Sequence, residues 1–190
     1  MELVIPKTLV YEEMDGVPIP YKNFHKVLLS TATPEEISGS SVSQTIVVTA
    51  ILRYLFRHLD EKKYWIVTNE AGFHLSKGNN LSADIALFDR STSPMDPRNF
   101  FYADFPPLVV IEVDIRADLS EFASPTDYYR KKSRKLKKFG VERVVWVNTG
   151  SETVMFDDQL TAHSWDDAFA VTSDLHLSVG KCVREYLRAE

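Results

Sequence analysis

The alternation of hydrophobic and polar positions along the chain predicts a mixture of strands and helices. One nearly continuous apolar stretch, residues 108–114, follows Pro106 and Pro107. Its β-branched residues favour a strand buried on both faces over a short buried helix. Alternate side chains of a strand share a face, so we expect Glu112 and Asp114 to point the same way. Buried carboxylates are costly unless neutralised, and the stretch therefore predicts a cation site or a partner lysine.

Two other stretches repeat their apolar residues every three and four positions, which is typical of amphipathic helices. The first covers residues 42–58, where Ser41 and Gln44 fit the S-x-x-Q capping box that begins a helix. The second covers residues 127–139, and Gly140 follows it in the position of a C-terminal cap.

Shorter apolar segments predict the remaining strands, at residues 64–68, 71–75, 83–88, 143–147, 153–156 and 170–177. We expect residues 1–37 to be irregular, because their prolines limit long helices. Residues 159–190 are expected to form a strand and a short helix. The core order α-β-β-β-α-β describes one mixed α/β domain over residues 1–190.

The helix predicted at residues 127–139 carries a run of cations: Arg130, Lys131, Lys132, Arg134, Lys135, Lys137 and Lys138. At about 100° per residue, Lys132 falls in the middle of the apolar face that Tyr129, Leu136 and Phe139 define. A lysine there needs anionic partners, and the acids of the preceding strand are the candidates. The alternative is a lysine whose stem packs inward while its amine reaches water.

Composition narrows the class of protein further. The 190 residues are 44% hydrophobic and 26% charged, which is ordinary for one soluble globular domain. The single cysteine, Cys182, excludes an internal disulfide. The sequence has no phosphate-binding glycine loop, serine-hydrolase elbow or zinc-type histidine spacing. It begins without a cationic, apolar leader and has no membrane-length apolar run, so we expect a cytoplasmic protein with no membrane partner.

Several segments together resemble the Uma2 family, which is assigned to the PD-(D/E)XK, restriction-endonuclease-like superfamily. They are Tyr11-Glu12-x-x-Asp15-Gly16, the strand at 83–88 with Asp84, the strand at 110–113 with Glu112, Lys132, and the segment at 139–147. The resemblance covers roughly residues 9–158. It implies a restriction-endonuclease-like fold, a mixed central sheet flanked by helices, which agrees with the order of elements above.

The resemblance also implies an activity, the hydrolysis of DNA phosphodiester bonds by a metal-dependent endonuclease. Asp84 would match the first metal-binding aspartate and Glu112 the acidic residue of the (D/E)XK element. Lys132 would match the lysine that has moved to the following helix, and Glu12 an N-terminal glutamate near the site. Mg²⁺ is the implied cofactor, because it prefers carboxylate, water and phosphate oxygens, and Mn²⁺ could replace it.

The sequence departs from the family pattern at three places. Ala83 precedes Asp84 where proline is common, Asp114 stands where a standard motif has lysine, and residues 115–117 replace Ser-Pro-Ser. The second departure makes catalysis depend on Lys132. Asp114 is either a further metal ligand or a partner of Lys132, and we favour the partner.

Each acid also has a structural alternative. Asp84 could cap a turn, Glu112 could pair with a structural lysine, and Glu12 could be exposed. Glu70 either lines the same cleft or lies in an exposed turn. The outward cations, Arg130, Lys131 and Arg134 among them, either contact a phosphate backbone or form a solvated face.

Two functions therefore remain open from the sequence. The favoured one is an endonuclease with DNA as substrate. The second, which the net charge of −5 and the lack of a separate DNA-reading module keep open, is a catalytically inactive nuclease-like scaffold that binds nucleic acid or protein. A homodimer is compatible with both.

Overall fold

A computed structural model describes residues 5–188. Its helices are α1 (Phe24–Leu28), α2 (Pro34–Ser38), α3 (Val42–His58), α4 (Pro125–Phe139) and α5 (Val179–Leu187). Its strands are β1 (Val10–Met14), β2 (Val17–Pro20), β3 (Tyr64–Ser76), β4 (Asn79–Asp89), β5 (Val109–Val113), β6 (Arg143–Asn148), β7 (Thr153–Phe156), β8 (His163–Ser164), β9 (Phe169–Ala170) and β10 (His176–Leu177).

Within residues 5–188, the main sheet has eight strands in the order β2-β1-β4-β5-β6-β7-β8, and β3 also pairs with β4. The pairing of β5 with β6 is parallel and the others are antiparallel, so the sheet is mixed. Helix α4 connects the parallel pair, as a crossover must. β9 and β10 form a separate hairpin.

Helices cover both faces of this sheet, which explains why four of the five residues of β5 are apolar. Ile111 and Val113 pack with α3 and α5 in one buried cluster. Val110 packs with α4 in the other cluster. All five residues of β5 are buried. The predicted mixed α/β fold, a central sheet flanked by helices, is confirmed.

The prediction that residues 1–37 are irregular is wrong for the described residues, which include β1, β2, α1 and α2. Pro18 and Pro20 lie in β2, at the end of the sheet, where a strand needs backbone donors on one side only. The Asp15-Gly16 turn between β1 and β2 has positive φ at both residues, as such short hairpin turns require. Residues 1–4 lie outside the described part.

Two other segments also differ from expectation. Residues 64–76 form one strand, with an irregularity in its pairing between Thr68 and Ala71, rather than two strands. Residues 170–177 are not one extended segment, because the chain turns back and Leu177 pairs with Phe169. No helix between residues 5 and 188 combines the length and apolar character needed to cross a membrane.

Candidate active site

The candidate site lies where β4 and β5 separate. Their antiparallel register pairs Ile85 with Ile111 and ends there. The next residues of the two strands are Asp84 and Glu112. Repulsion from Asp84 contributes to the raised pKa of Glu112, so the two carboxylates lie close enough to interact.

Asp84 closes the end of the strand pair with its side chain. Its Oδ2 accepts a hydrogen bond from the backbone N–H of Val113 at 2.8 Å, in place of a backbone partner. The Gln44 Nε2 amide donates to Asp84 Oδ1 at 3.3 Å. Burial raises the pKa of Asp84, and the hydrogen bond from Val113 only partly opposes this effect. The backbone strand position and the helix α3 together therefore fix this carboxylate.

The Lys132 amine lies between two carboxylates in the interior. Its Nζ is 2.6 Å from Glu12 Oε1 and 2.5 Å from Glu112 Oε1, and all three side chains are at most 1% exposed. The contact with Glu112 is a short ion pair, so the amine bridges the two carboxylates.

Three aromatic rings complete the surroundings of the amine. Lys132 Nζ lies 5.7 Å from the ring centre of Trp146 and 5.9 Å from those of Tyr11 and Tyr128. Such rings attract a cation through their negative faces. Lys132 is therefore a fixed buried cation, and the alternative in which its amine reaches water is excluded.

The charges of this group shift two pKa values in the same direction. Burial opposes the charge of Lys132, but the carboxylates of Glu112 and Glu12 outweigh it and raise the pKa of Lys132. Burial, followed by repulsion from Asp84 and Glu12, raises the pKa of Glu112 to about 8, although Lys132 partly offsets it. At neutral pH Lys132 is charged, and burial favours the protonated form of Glu112 while Lys132 favours its carboxylate form.

Glu12 is buried, and both of its carboxylate oxygens accept hydrogen bonds. Its Oε1 accepts from the Ser82 backbone N–H at 2.9 Å as well as from Lys132, and its Oε2 accepts from the Tyr128 hydroxyl at 2.6 Å. The structural alternative of an exposed Glu12 is thereby excluded. A carboxylate held by these donors joins β1, β4 and α4 and positions Lys132.

Gln44 is a site residue that the sequence interpretation assigned only to a helix cap. Its backbone N–H does donate to Ser41 Oγ at 3.1 Å. Its side chain, however, donates to Asp84 and to the Val113 carbonyl at 2.7 Å instead of turning back to Ser41. A polar residue on the inward face of an amphipathic helix is the signal that could have identified it.

The expectation that Asp114 shares a face with Glu112 and pairs with Lys132 is wrong. Asp114 follows β5 with a φ of 54°, and alternation of side chains holds only for extended backbone. Its carboxylate instead accepts from the backbone N–H and hydroxyl of Thr149, at 2.9 and 2.7 Å.

An open cleft of about 550 Å³ adjoins Asp84. Its other lining residues include Glu70, Arg116 and Tyr21 and a set of small polar side chains: Ser38, Ser40, Thr45, Thr49, Thr68 and Asn69. For Glu70 the sequence left two alternatives, a place in the cleft or an exposed turn. In the structure Glu70 lies within β3 and lines this cleft.

The outward cations of α4 are paired with acids. Arg130 contacts Asp127, Lys131 contacts Asp15 and Arg134 contacts Asp158, at 3.3, 3.0 and 3.1 Å. Their side chains are 37 to 66% exposed, so this surface is solvated and largely neutralised.

The donor atoms around Asp84 and Glu112 fit a divalent ion that keeps several water or phosphate ligands. Asp84 offers a hard oxygen beside the cleft, and Glu112 offers a second carboxylate, whose Oε1 contacts the Lys132 amine. No three His, Cys, Asp or Glu side chains between residues 5 and 188 form a closed metal cage. Mg²⁺ is commonly held by one or two carboxylates with water and substrate phosphate, which matches this partial set.

The fold has a counterpart among solved structures. A crystal structure described as a "putative nuclease belonging to DUF820", from Anabaena variabilis, superposes with a TM-score of 0.63 at 16% sequence identity. The match covers 92% of this chain and 90% of that chain. No protein-family model matches this sequence, and no curated protein does. At this identity the comparison establishes the fold, which is restriction-endonuclease-like.

Proposed function

We propose that the protein is a metal-dependent endonuclease that hydrolyses DNA phosphodiester bonds. The observation that carries the proposal is that Asp84 and Glu112 follow the last register pair of β4 and β5 and interact electrostatically, with Asp84 beside an open cleft. The buried Lys132 amine lies against the second of these carboxylates. The nuclease-like fold and the resemblance of the sequence to the Uma2 family support the same activity.

In this proposal Asp84 and Glu112 hold Mg²⁺, and Mn²⁺ can replace it. When bound, the ion supplies positive charge to a phosphoryl oxygen and lowers the pKa of a water molecule. Asp84 is fixed by Val113 and Gln44, so its carboxylate needs little rearrangement. Glu112 must lose its proton to act as a ligand, because only the carboxylate form binds such an ion well.

Lys132 acts in the proposal as a cation and not as a base. Its raised pKa keeps the amine protonated, so it cannot accept a proton from water near neutral pH. A protonated amine can donate a hydrogen bond to the attacking water or stabilise the charge that develops on the phosphoryl group. Glu12 and the three rings hold the amine in position for that role.

One observation favours a second candidate function, a non-catalytic nuclease-like scaffold that binds nucleic acid. The charges of Lys132, Glu12 and Glu112 compensate one another within the protein, as the charges of a purely structural cluster would. A scaffold of this kind would bind nucleic acid without cleaving it, so measurements of binding and of cleavage separate the two functions.

The test is cleavage of supercoiled plasmid and of labelled single- and double-stranded DNA with Mg²⁺ or Mn²⁺, and with EDTA. We compare the wild type with Asp84→Asn and Glu112→Gln, which keep the shape of each side chain and remove its charge. We expect both to lose about 100-fold or more in rate. The matched control, Asp167→Asn, removes a charge from an exposed residue and should keep wild-type activity.

Cleavage by both site variants at the wild-type rate would reject the proposed site. A wild type that binds DNA and cleaves none of these substrates with either metal would favour the scaffold. Circular dichroism of each variant shows whether the fold is retained.

A further inference from the structure

Arg116 is the cationic residue among those of residues 5–188 that line the cleft beside Asp84. It lies in the segment after β5 where the sequence departs from the Uma2 pattern. Its side chain is only 14% exposed, although arginine is usually solvated. The mechanism proposed above gives it no role.

Four groups hold this guanidinium in place. Arg116 Nη1 donates to the Ser38 carbonyl, and Nη2 forms an ion pair with Glu70 Oε1. The Arg116 Cζ atom lies 5.9 Å from the ring centres of both Tyr11 and Tyr21. The planar group is therefore oriented before any ligand arrives.

Glu70 uses only part of what Arg116 offers. The Nη2 and Nε groups of arginine form one edge that can donate to two oxygens of a single anion. Glu70 engages Nη2, while the buried Nε has no hydrogen-bond acceptor between residues 5 and 188. The other oxygen of Glu70 accepts from the Tyr21 hydroxyl at 3.4 Å, which is a long hydrogen bond.

Glu70 is also the partner that can move. Its side chain is 37% exposed, and it lies at the irregular pairing of β3 with a φ of 55°. A phosphodiester of DNA has two non-bridging oxygens, and each can accept more than one hydrogen bond, so a single group can accept from Nη2, Nε and the Tyr21 hydroxyl together.

We propose that Arg116 and Tyr21 form a subsite for a backbone phosphate of DNA, and that the Glu70 carboxylate occupies this subsite in the free protein. The proposal rests on the proposed function for the choice of DNA as ligand. The subsite and Asp84 line one cleft, so the bound phosphate would lie near the phosphate that is cut and would position it. Glu70 competes with DNA for Arg116.

The experiment measures binding of a fluorescein-labelled double-stranded oligonucleotide in EDTA over a series of KCl concentrations. In EDTA there is no metal-dependent cleavage, so the readout is independent of activity. We expect Arg116→Ala to weaken binding about tenfold and to reduce the slope of log K against log salt by about one. Glu70→Gln should strengthen binding several-fold, because the competing charge is removed. Arg116→Lys should keep the slope and lose most of the affinity.

The matched control is Arg98→Ala, which removes a cation that is 88% exposed and paired with Asp96. Thermal unfolding checks that Arg116→Ala is folded at the assay temperature, and Glu70→Gln tests the proposal with Arg116 in place. In the cleavage assay, Arg116→Ala should raise KM more than it lowers kcat.

The outcomes separate this inference from the proposed function. If the wild type cleaves DNA and Asp84→Asn does not, but Arg116→Ala and Glu70→Gln bind like Arg98→Ala, the subsite is rejected and the nuclease stands. If the predicted binding changes occur without cleavage by the wild type, the subsite stands and the nuclease is rejected. If the wild type binds no DNA, the subsite for DNA is rejected. It is also rejected if Arg116→Ala weakens the binding of inorganic phosphate and leaves the binding of DNA unchanged.

Discussion

The positive charge of the buried Lys132 amine compensates the two carboxyl groups beside it. Removing one member of a buried ion pair leaves the other without compensation, which is more costly than the pair is stabilising. Lys132 and Glu12 are both fully buried, and Glu112 is 1% exposed. The stability of the protein therefore depends on the balance among these three residues.

We predict that Lys132→Met lowers the free energy of unfolding by about 3–5 kcal/mol, because it leaves two buried carboxyl groups without a cation. Urea denaturation at pH 7 measures the change. The triple variant Lys132→Met, Glu12→Gln, Glu112→Gln removes the charges together and should recover part of the loss. If the triple variant is no more stable than Lys132→Met, uncompensated charge is not the cause.

The raised pKa of Glu112 predicts a pH dependence of stability. The pKa is about 8 in the folded protein, against an ordinary value of 4.5 for a glutamate side chain. Between these values the folded state binds more protons than the unfolded state, so the contribution of Glu112 to stability falls as pH rises. Glu112→Gln cannot ionise, and its stability relative to the wild type should increase from pH 5 to pH 8.

Urea denaturation of both proteins at pH 5, 6, 7 and 8 in EDTA measures this difference. Comparing the two proteins at each pH cancels the titration of other groups, such as Asp15, whose pKa the hydrogen bonds from Lys135 and Lys131 lower. A difference that is the same at every pH would contradict the assignment.

Single residues differ in how well the sequence predicts the direction and contacts of their side chains. The inward position of Lys132 follows from helical periodicity alone, because a regular helix fixes the direction of each side chain. Asp114 and Glu70 could not be placed, since both have positive φ, and the alternation of a strand does not apply to them. The partners of Gln44 lie on β4 and β5, which only the tertiary fold brings together.

At the scale of elements, helix α4 has well-defined ends. Ser124 Oγ accepts from the Asp127 N–H at 3.2 Å, and Pro125 occupies the first turn, so the helix begins two residues before the predicted start. Gly140 ends it with a φ of 120°. A Cβ at this glycine would lie 2.9 Å from Pro106 Cγ.

We predict that Gly140→Ala lowers the free energy of unfolding by about 1–3 kcal/mol, because alanine strains the positive φ and contacts Pro106. The matched control is Lys138→Ala, which changes an exposed residue of the last turn and should have an effect within about 0.5 kcal/mol. Thermal or urea unfolding measures both. Equal stability of the two variants would contradict this reading of the cap.

Elements with strong periodicity were predictable, and those that depend on distant partners were not. The strands β5 and β6 are buried on both faces and consist mostly of apolar residues, with Glu112 as the exception inside β5. β2 contains two prolines, and proline has a low propensity for strands. Its pairing with β1 holds it in the sheet. The short β9 and β10 likewise pair only with each other.

At the scale of the whole molecule, the net charge is −5, and an acid from another element pairs with the cations of helix α4. Asp15, in the turn between β1 and β2, lies 3.0 Å from Lys131 Nζ and 2.5 Å from Lys135 Nζ. An acid placed between two lysines weakens the local attraction for a polyanion.

We predict that Asp15→Asn tightens binding of double-stranded DNA in EDTA about two- to tenfold at low salt, because it frees two cations, and that the gain disappears at high salt. The matched control is Asp166→Asn, which removes the partner of Arg184 on α5. Fluorescence anisotropy over a KCl series measures both. Equal affinities of the two variants would show that DNA does not contact this face of α4.

The order in which the chain is synthesised gives one consequence of the contacts of Glu12. Glu12 is synthesised before the Tyr128 hydroxyl and the Lys132 amine that hold it, which lie 116 and 120 residues further along the chain. These contacts of the β1–β2 hairpin therefore form only after residue 132 has been translated. Contacts between residues so far apart in the sequence slow folding. Until they form, the first strands remain accessible to chaperones.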